Sequence, residues 1–370
     1  MKVENGDGKS RSKYVRSTFA LLALLFVTFF LFNAFLTPSS RDNSSRWKMA
    51  DNLQSLSSGS CKNKCRPPGS EVLPERIVEK TSNLQMSPLW GSSQEKSSSE
   101  KSLFAAAVGI KQKSLVNKTV TKFLRSNFVV MLFHYDGLVD EWKEFEWNSR
   151  VIHVSAQNQT KWWFAKRFMH PDVISAYEYI FLWDEDLGVE NFDPTNYISI
   201  IKREGLEISQ PALDLKSSDI HQQITARVES ESVHRRTFKQ GSCYKNSTAP
   251  PCTGWVEMMA PVFSQASWRC VWYMIQNDLI HAWGLDHKLG YCAQGNRMKK
   301  IGVVDDEYIV HYGRPTLGGG AIKAIKSFSR SRKLDPRLEV RRQSYKEFFV
   351  FKERWKNATA EDQCWVDPYN

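Results

Sequence analysis

The chain has 370 residues, with 51 basic and 40 acidic side chains and a formal net charge of +11. Hydrophobic residues make up 41% and aromatic residues 12%, a composition that excludes a chain disordered throughout. The length allows one or at most two domains with a large core. Much of the positive charge is local, because 12 basic residues against 4 acidic ones lie between Lys323 and Lys356. The net charge is therefore weak evidence for nucleic-acid binding.

An uncharged run rich in Leu, Phe and Ala covers residues 18–36. As a helix it would be about 28 Å long at about 1.5 Å per residue, enough to span a thin bilayer. The run exceeds the usual core of a cleaved signal peptide, and no small-residue cleavage site follows it, so an uncleaved anchor is favoured over that alternative. Basic residues are denser before the run, which predicts a cytosolic tail at 1–17 and a luminal remainder. The short span favours a type II protein of the Golgi membrane.

A luminal location would permit N-glycosylation and disulfides. Sequons occur at Asn43, Asn117, Asn158, Asn246 and Asn357. The candidate cysteine pairs are Cys243 with Cys252, Cys270 with Cys292, and Cys61 with Cys65. Connectivity is not readable from sequence. Seven cysteines leave one over, for which Cys364 is the candidate, so a homodimer bonded through Cys364 stays an open alternative.

Residues 37–102 are crowded with Ser and poor in periodic apolar residues, which predicts a flexible stem. From Leu103 onward, short apolar runs alternate with helical patterns, as in an α/β domain with a mixed, mostly parallel sheet flanked by helices. We expect this domain at 103–320 and a basic helical extension at 321–370. The predicted strands cover 103–110, 127–135, 150–155, 179–183, 207–213, 255–263 and 302–310, and the predicted helices cover 161–170, 193–203 and 267–280.

Three consecutive acids, Asp184, Glu185 and Asp186, follow the apolar strand at 179–183 without a gap. In open α/β sheets, ligands bind at the carboxyl ends of the strands. Residues i and i+2 of an extended chain lie about 6.6 Å apart on one face, so two carboxylates would meet there. A divalent cation such as Mn²⁺ or Mg²⁺ would relieve their repulsion and leave room for a nucleotide diphosphate. The ordinary alternative is a solvated acidic turn that caps the next helix.

Two later residues join this hypothesis. Asp286 follows Gly284 beside a Trp, where it could act as general base towards an acceptor hydroxyl; the alternative is a helix C-cap at Gly284 with a surface Asp. His311 follows a predicted strand and could complete the shell of the cation, although a hydrogen-bonded structural histidine is the ordinary alternative.

Other polar and aromatic segments have two interpretations each. Trp162 and Trp163 could stack on a sugar, but adjacent tryptophans on a helix are more often core and rim. The run 234–236, His-Arg-Arg, could approach phosphates, but we expect a surface loop there. The basic segment 323–356 is compatible with a terminal helix or with a surface for a partner or an anionic polysaccharide.

The acids at 184–186 after an apolar strand, the turn at 283–286 and the later His311 together resemble the layout of GT-A fold glycosyltransferases. The strings at 132–137 (LFHYDG) and 161–167 (KWWFAKR) are more closely similar to a plant family of single-pass membrane proteins, and so is TGWVEMM at 253–259. That family carries a label related to lysine-ketoglutarate reductase trans-splicing and is grouped with GT-A-like domains. The similarity spans roughly residues 103–320.

The resemblance implies roles for single residues. Asp186 would be the direct metal ligand and His311 the third protein ligand, while Asp184 would contact ribose or a metal-bound water. Asp286 would take the acceptor's proton if the reaction inverts the sugar. Asp136 could touch the nucleoside, although a hairpin-turn Asp is the alternative.

The resulting expectation is a Mn²⁺- or Mg²⁺-dependent hexosyl- or pentosyltransferase that moves a sugar from a nucleotide-sugar donor to a glycan or protein. One alternative is a luminal glycan-binding or scaffold protein without turnover. A carboxylate-based glycoside hydrolase is disfavoured, because its two acids should flank a cleft from separate parts of the sequence. Nucleic acid is not expected as a partner in a luminal compartment.

Overall fold

The computed structural model describes residues 66–82, 101–238, 241, 243–314 and 336–369. All of them belong to the compact unit Cys65–Asn370. The predicted cytosolic tail, the predicted span at 18–36 and the proposed Cys61–Cys65 pair lie outside the described residues. Within the described part of the chain, no helix combines the length and the apolar character that a membrane span needs.

The strands and helices alternate along the chain as expected for an α/β domain. The strands are β1 (Ser102–Val108), β2 (Phe128–His134), β3 (Ile152–Ser155), β4 (Tyr179–Trp183), β5 (Leu187–Gly188), β6 (Ile208–Leu213), β7 (Val233–His234), β8 (Val262–Ser264) and β9 (Ile301–His311). The helices are α1 (Lys113–Leu124), α2 (Lys161–Phe168), α3 (Pro194–Glu204), α4 (Gln265–Met274), α5 (Arg297–Lys300) and α6 (Pro336–Glu361).

The strands form a mixed sheet in the order β3-β2-β1-β4-β8-β6-β9-β5, and β7 pairs with β9. The pairs within β3-β2-β1-β4 are all parallel. In the other half only β6 and β9 are parallel, while β8 pairs antiparallel with both β4 and β6. The predicted mixed sheet is therefore confirmed, but parallel pairing dominates only in its first half.

The sheet separates two apolar layers, because successive residues of a strand point to opposite faces. In β1, Leu103 and Ala105 join the layer that contains Trp268 and Trp272 of α4. The intervening residue Phe104 joins the other layer and stacks on Phe123 of α1, with ring centroids 4.1 Å apart. Both faces of the central strands are thus buried, which explains why β4 is an unbroken apolar run.

Residues 66–82 differ from the predicted stem, because they pack on the domain. Leu73 and Ile77 are fully buried in the layer that contains α4. The buried Lys166 of α2 donates hydrogen bonds to the carbonyl oxygens of Glu79 and Trp272, each at 2.9 Å. Through Lys166, these contacts connect the segment to helices α2 and α4. The composition of residues 66–82 did not predict this packing, because it depends on residues far away in the chain.

Two predicted elements are shorter than expected. The strand predicted at 255–263 is present only as β8, Val262–Ser264. The helix predicted at 267–280 is α4, which begins at Gln265 and ends at Met274. Pro261 has no N–H to donate to a neighbouring strand, and its carbonyl accepts from Leu182 N at 3.1 Å, so regular pairing starts only after it.

Two of the expected disulfides are present, Cys243–Cys252 and Cys270–Cys292. Cys364, which we expected to be left over, is itself disulfide-bonded. The expectation of a free thiol at Cys364 is therefore wrong, and with it the basis for a dimer bonded through that residue.

The prediction of a surface loop at 234–236 is also wrong for His234. This residue lies in β7, is almost fully buried, and places Nδ1 2.7 Å from Oδ2 of Asp305 in β9. Its Nε2 lies 2.6 Å from the carbonyl of Ile224, so both ring nitrogens face acceptors. Burial by itself would lower the pKa of His234, but the hydrogen bond and charge of Asp305 outweigh it and raise the pKa.

We predict that this pair makes stability depend on pH. Because the folded-state pKa of His234 is raised, its contribution is fully present below the ordinary imidazole pKa of 6.5 and is lost as pH rises through the folded value. Asp305→Asn should lower the free energy of unfolding by about 3 kcal/mol at pH 6, and by less at higher pH. Urea denaturation from pH 6 to pH 9 measures both values. Asp306→Asn, at the exposed neighbouring residue, is the matched control; equal effects of the two variants would contradict the prediction.

Candidate functional site

A cavity of about 950 Å³ opens beside the carboxyl end of β4. Its wall includes ionisable side chains from distant parts of the chain: Lys161, Asp184, His221, Glu257, Asp286 and His311. The structure thus brings the predicted residues Asp184, Asp286 and His311 to one cavity. Trp162 lines it as well and is almost fully buried, while Trp163 is half-buried, which agrees with the core-and-rim interpretation of this pair.

Asp184 is held by a lysine. Its backbone N–H donates to Met259 O at 2.8 Å, which continues the edge of the sheet beyond β4. Its side-chain Oδ1 lies 2.7 Å from Nζ of Lys161, the first residue of α2. The ammonium also donates to Met258 O at 2.6 Å and is 8% exposed, so the positive charge is fixed in the cavity wall.

Glu185 ties the carboxyl ends of three strands together. Its Oε2 accepts from Gly109 N at 2.6 Å, just after β1, and its Oε1 accepts from the hydroxyl of Tyr135, just after β2. Burial raises the pKa of Glu185 to about 8, although the bonds from Tyr135 and Gly109 oppose this shift. Glu185 therefore acts as a structural clamp, and the acids on either side of it are placed by the same bonds.

Asp186 meets His311 because β5 pairs antiparallel with β9, with Leu187 opposite His311. Oδ2 of Asp186 lies 3.6 Å from Nε2 of His311 and accepts from Arg314 N at 2.7 Å. Nδ1 of His311 lies 2.8 Å from Asp219 O, which can only accept, so Nδ1 carries a proton. In the neutral ring Nε2 then directs its lone pair towards the carboxylate of Asp186.

The charge on Asp186 is disfavoured where it lies. Burial raises its pKa, the neighbouring charge of Asp184 adds to the effect, and His311 and the bond from Arg314 N oppose it. A cation between Asp186 and His311 would satisfy both groups, because each offers a lone pair at that point.

The predicted set of three metal ligands is only partly assembled. Asp186 and His311 meet, whereas the side chain of Asp184 is paired with Lys161. Across the residues that the structure describes, no group of three or more His, Cys, Asp or Glu side chains could hold a metal ion. A carboxylate and an imidazole fit Mn²⁺ better than Mg²⁺, which prefers oxygen ligands, and either ion commonly takes its other ligands from phosphates and water.

Asp286 lies in the cavity wall, at the start of the 3₁₀ helix Asp286–Cys292. Burial raises the pKa of Asp286, although the adjacent His287 opposes the shift. A carboxylate with a raised pKa holds a proton more readily than an exposed one, which suits a general base. Asp286 is thus a partly buried residue of the cavity wall and not a fully exposed surface Asp.

Asp136 is used by the backbone. Its Oδ2 accepts from Ile110 N at 2.7 Å and its Oδ1 accepts from Leu138 N at 3.0 Å. It is not part of the cavity wall. These bonds match the turn-forming role that was the alternative to a nucleoside contact.

His221 and Glu257 also line the cavity, although no sequence pattern predicted a role for them. His221 places Nδ1 3.3 Å from Oε1 of Glu257 and Nε2 3.2 Å from Oδ2 of Asp219. The hydrogen bond to Glu257 raises the pKa of His221, although burial opposes the shift. Glu257 lies in the family-like string at 253–259, and Lys161 begins the string at 161–167, but neither string indicates what its acid or lysine contacts.

A family model described as "Protein of unknown function (DUF707)" matches residues 64–361. No curated protein sequence matches the chain at a significant level.

Solved structures show a weak likeness. TarS of S. aureus, solved with UDP, has 10% identity and a TM-score of 0.37, with 57% of this chain and 59% of that chain covered. The glycosyltransferase GlyE of Streptococcus pneumoniae has 11% identity and a TM-score of 0.30, covering 73% and 66%. The mannosyltransferase Ktr4p of S. cerevisiae has 10% identity and a TM-score of 0.24, covering 41% and 48%.

The ion pair of Lys161 and Asp184 is testable by a double-mutant cycle. Lys161→Met should lower the free energy of unfolding by about 2 kcal/mol, because it leaves Asp184 uncompensated beside two other acids. Adding Asp184→Asn should recover part of that loss, since the uncompensated charge is removed. Urea denaturation at neutral pH measures the cycle, with Lys143→Met, in an exposed pair, as control. Strict additivity of the two changes would show that the pair is not coupled.

Proposed function

The chain belongs to the DUF707 family, and we propose that it is a metal-assisted glycosyltransferase, of hexosyl or pentosyl type, that uses a nucleotide-sugar donor and a glycan or protein acceptor. One observation carries the proposal: Asp184, His311 and Asp286, from three separate parts of the chain, line one cavity at the carboxyl end of a central strand. That edge is where open α/β sheets bind ligands. The volume of about 950 Å³ suits a ligand of substantial size.

Asp186 and His311 would hold the Mn²⁺ or Mg²⁺ ion. When bound, that ion supplies positive charge that stabilises a leaving diphosphate. The chain orients the two ligands itself: Asp219 O fixes the ring of His311, and Arg314 N fixes the carboxylate of Asp186.

The remaining residues act on the substrates. Lys161 adds a fixed positive charge to the same wall and holds the carboxylate of Asp184 through their 2.7 Å contact. Asp286 would accept the proton of the acceptor hydroxyl as that oxygen attacks the sugar. Its raised pKa makes it a stronger base than an exposed aspartate.

The proposal includes a type II anchor at 18–36 and a Golgi location for the domain. The disulfides Cys243–Cys252 and Cys270–Cys292 and the bonded Cys364 support a luminal compartment, because disulfides persist in oxidising environments.

Calorimetry on the purified full-length chain tests nucleotide binding. UDP or GDP should bind at least about tenfold more tightly with Mn²⁺ than with EDTA, and Asp186→Ala should abolish this difference. Asp140→Ala, at an exposed acid away from the cavity, is the control. A wild-type chain that binds neither nucleotide would refute the transferase and favour the glycan-binding or scaffold alternative.

The role of Asp286 is tested separately. Asp286→Asn should lower turnover by roughly 10²–10⁴-fold, while nucleotide affinity stays within about twofold. Release of UDP or GDP from nucleotide-sugars measures turnover. Because a general base must be ionised, the wild-type rate should fall as pH drops through the raised pKa of Asp286. Unchanged turnover in Asp286→Asn would exclude this residue as the base.

A further inference from the structure

The cavity has a second, aromatic part that the proposed chemistry does not use. Trp283 lines it and is 38% exposed, although the residues on both sides of it are buried. Both neighbours have left-handed backbones: Ala282 has φ +56° and Gly284 has φ +93°. The left-handed conformation costs a non-glycine residue about 1 kcal/mol or more. The strained backbone at Ala282 therefore lies in the segment that directs the indole of Trp283 into the cavity.

A second ring stands beside this indole. Tyr345 of α6 also lines the cavity, is 51% exposed, and meets Trp283 edge-to-face with ring centroids 4.9 Å apart. We call Trp283 and Tyr345 the aromatic platform. Two rings that share an edge-to-face contact keep part of their faces open to a ligand in the cavity.

The platform is held rigidly against the domain. The buried Glu347 of α6 accepts from His281 N at 2.7 Å and lies 2.9 Å from Nδ1 of the same residue. A Cβ at Gly284 would lie only 3.0 Å from Phe348, so the turn is pressed against α6. The guanidinium of Arg354 binds both oxygens of Asp278, at 2.7 and 2.6 Å. A platform fixed before binding loses little conformational entropy when a ligand arrives.

Polar groups line the cavity together with the rings. They include Asp286, His287 and Arg341. Aromatic faces beside hydrogen-bonding groups in a concave site match a ligand with apolar C–H faces and many hydroxyls. From this arrangement we infer that the aromatic platform binds a saccharide, which stacks on Trp283 and Tyr345.

The bound saccharide is the acceptor, and that role rests on the proposed transferase function; the binding itself does not. The assignment follows from position, because Asp286, the proposed base, follows Trp283 by three residues and lines the same cavity. A sugar on the platform would bring its hydroxyls towards that carboxylate.

The test is saccharide binding by the full-length chain and three variants. An array presenting hexose, pentose and uronic-acid oligosaccharides identifies a ligand, and calorimetry then measures its affinity. Trp283→Ala and Tyr345→Ala should each weaken binding by about tenfold or more, whereas affinity for UDP or GDP with Mn²⁺ stays within about twofold. Phe349→Ala is the matched control, because Phe349 lies on the same helix, is 63% exposed and is not part of the cavity wall.

The outcomes separate the two proposals. Saccharide binding that depends on Trp283, with no nucleotide binding, would retain the platform and refute the transferase. A wild-type chain that retains no oligosaccharide, or a Trp283→Ala variant that binds like the wild type, would overturn the platform. A Trp283→Ala variant that loses affinity for the nucleotide instead would identify the rings as a nucleobase site. A loss of self-association in Trp283→Ala by sedimentation, without a change in saccharide binding, would identify them as a contact between two copies.

Discussion

The antiparallel pairing of β5 with β9 is the interaction on which the site depends. This two-residue strand places Leu187 opposite His311, and the residue before it, Asp186, is thereby brought to the imidazole. Nothing in the segment after β4 holds a histidine by itself, so this pairing is what brings Asp186 to His311. The pairing also sets the distance of 3.6 Å between Oδ2 of Asp186 and Nε2 of His311.

Three consecutive acids are stable at this edge because each has a different partner. Asp184 is compensated by Lys161, Glu185 is buried among hydrogen-bond donors, and Asp186 faces His311. Their repulsion is relieved in three directions instead of one. This division explains why a DxD pattern that looks symmetric in sequence gives two aspartates with different surroundings. The lysine that pairs with Asp184 also lies in the cavity wall, and no sequence motif predicted its position there.

The carboxy-terminal helix α6 converts an open sheet edge into a cavity. Glu347 fixes it to the turn at 281–286, and Phe351 and Trp355 are buried in the same apolar layer as α4. Helix α6 lies in the predicted basic extension and serves two purposes. Its apolar side chains complete the core, while Tyr345 lines the cavity. The segment 66–82 packs into that layer as well, so both ends of the described chain complete the domain around the sheet.

The sequence alone determined the features that depend on local patterns. The apolar runs of β1, β2 and β4 and the acids after β4 led to the mixed α/β sheet and the position of the acidic cluster. The cysteine spacings offered Cys243–Cys252 and Cys270–Cys292 as candidate pairs, and the structure contains both disulfides. Tertiary structure decided the rest, since contacts between distant residues leave no local signal. It paired Lys161 with Asp184, buried His234 against Asp305, used Asp136 in a turn, and gathered His221 and Glu257 into the cavity. From sequence alone, a charged side chain is predicted to be exposed. Only the folded structure supplies the partner that makes its burial favourable.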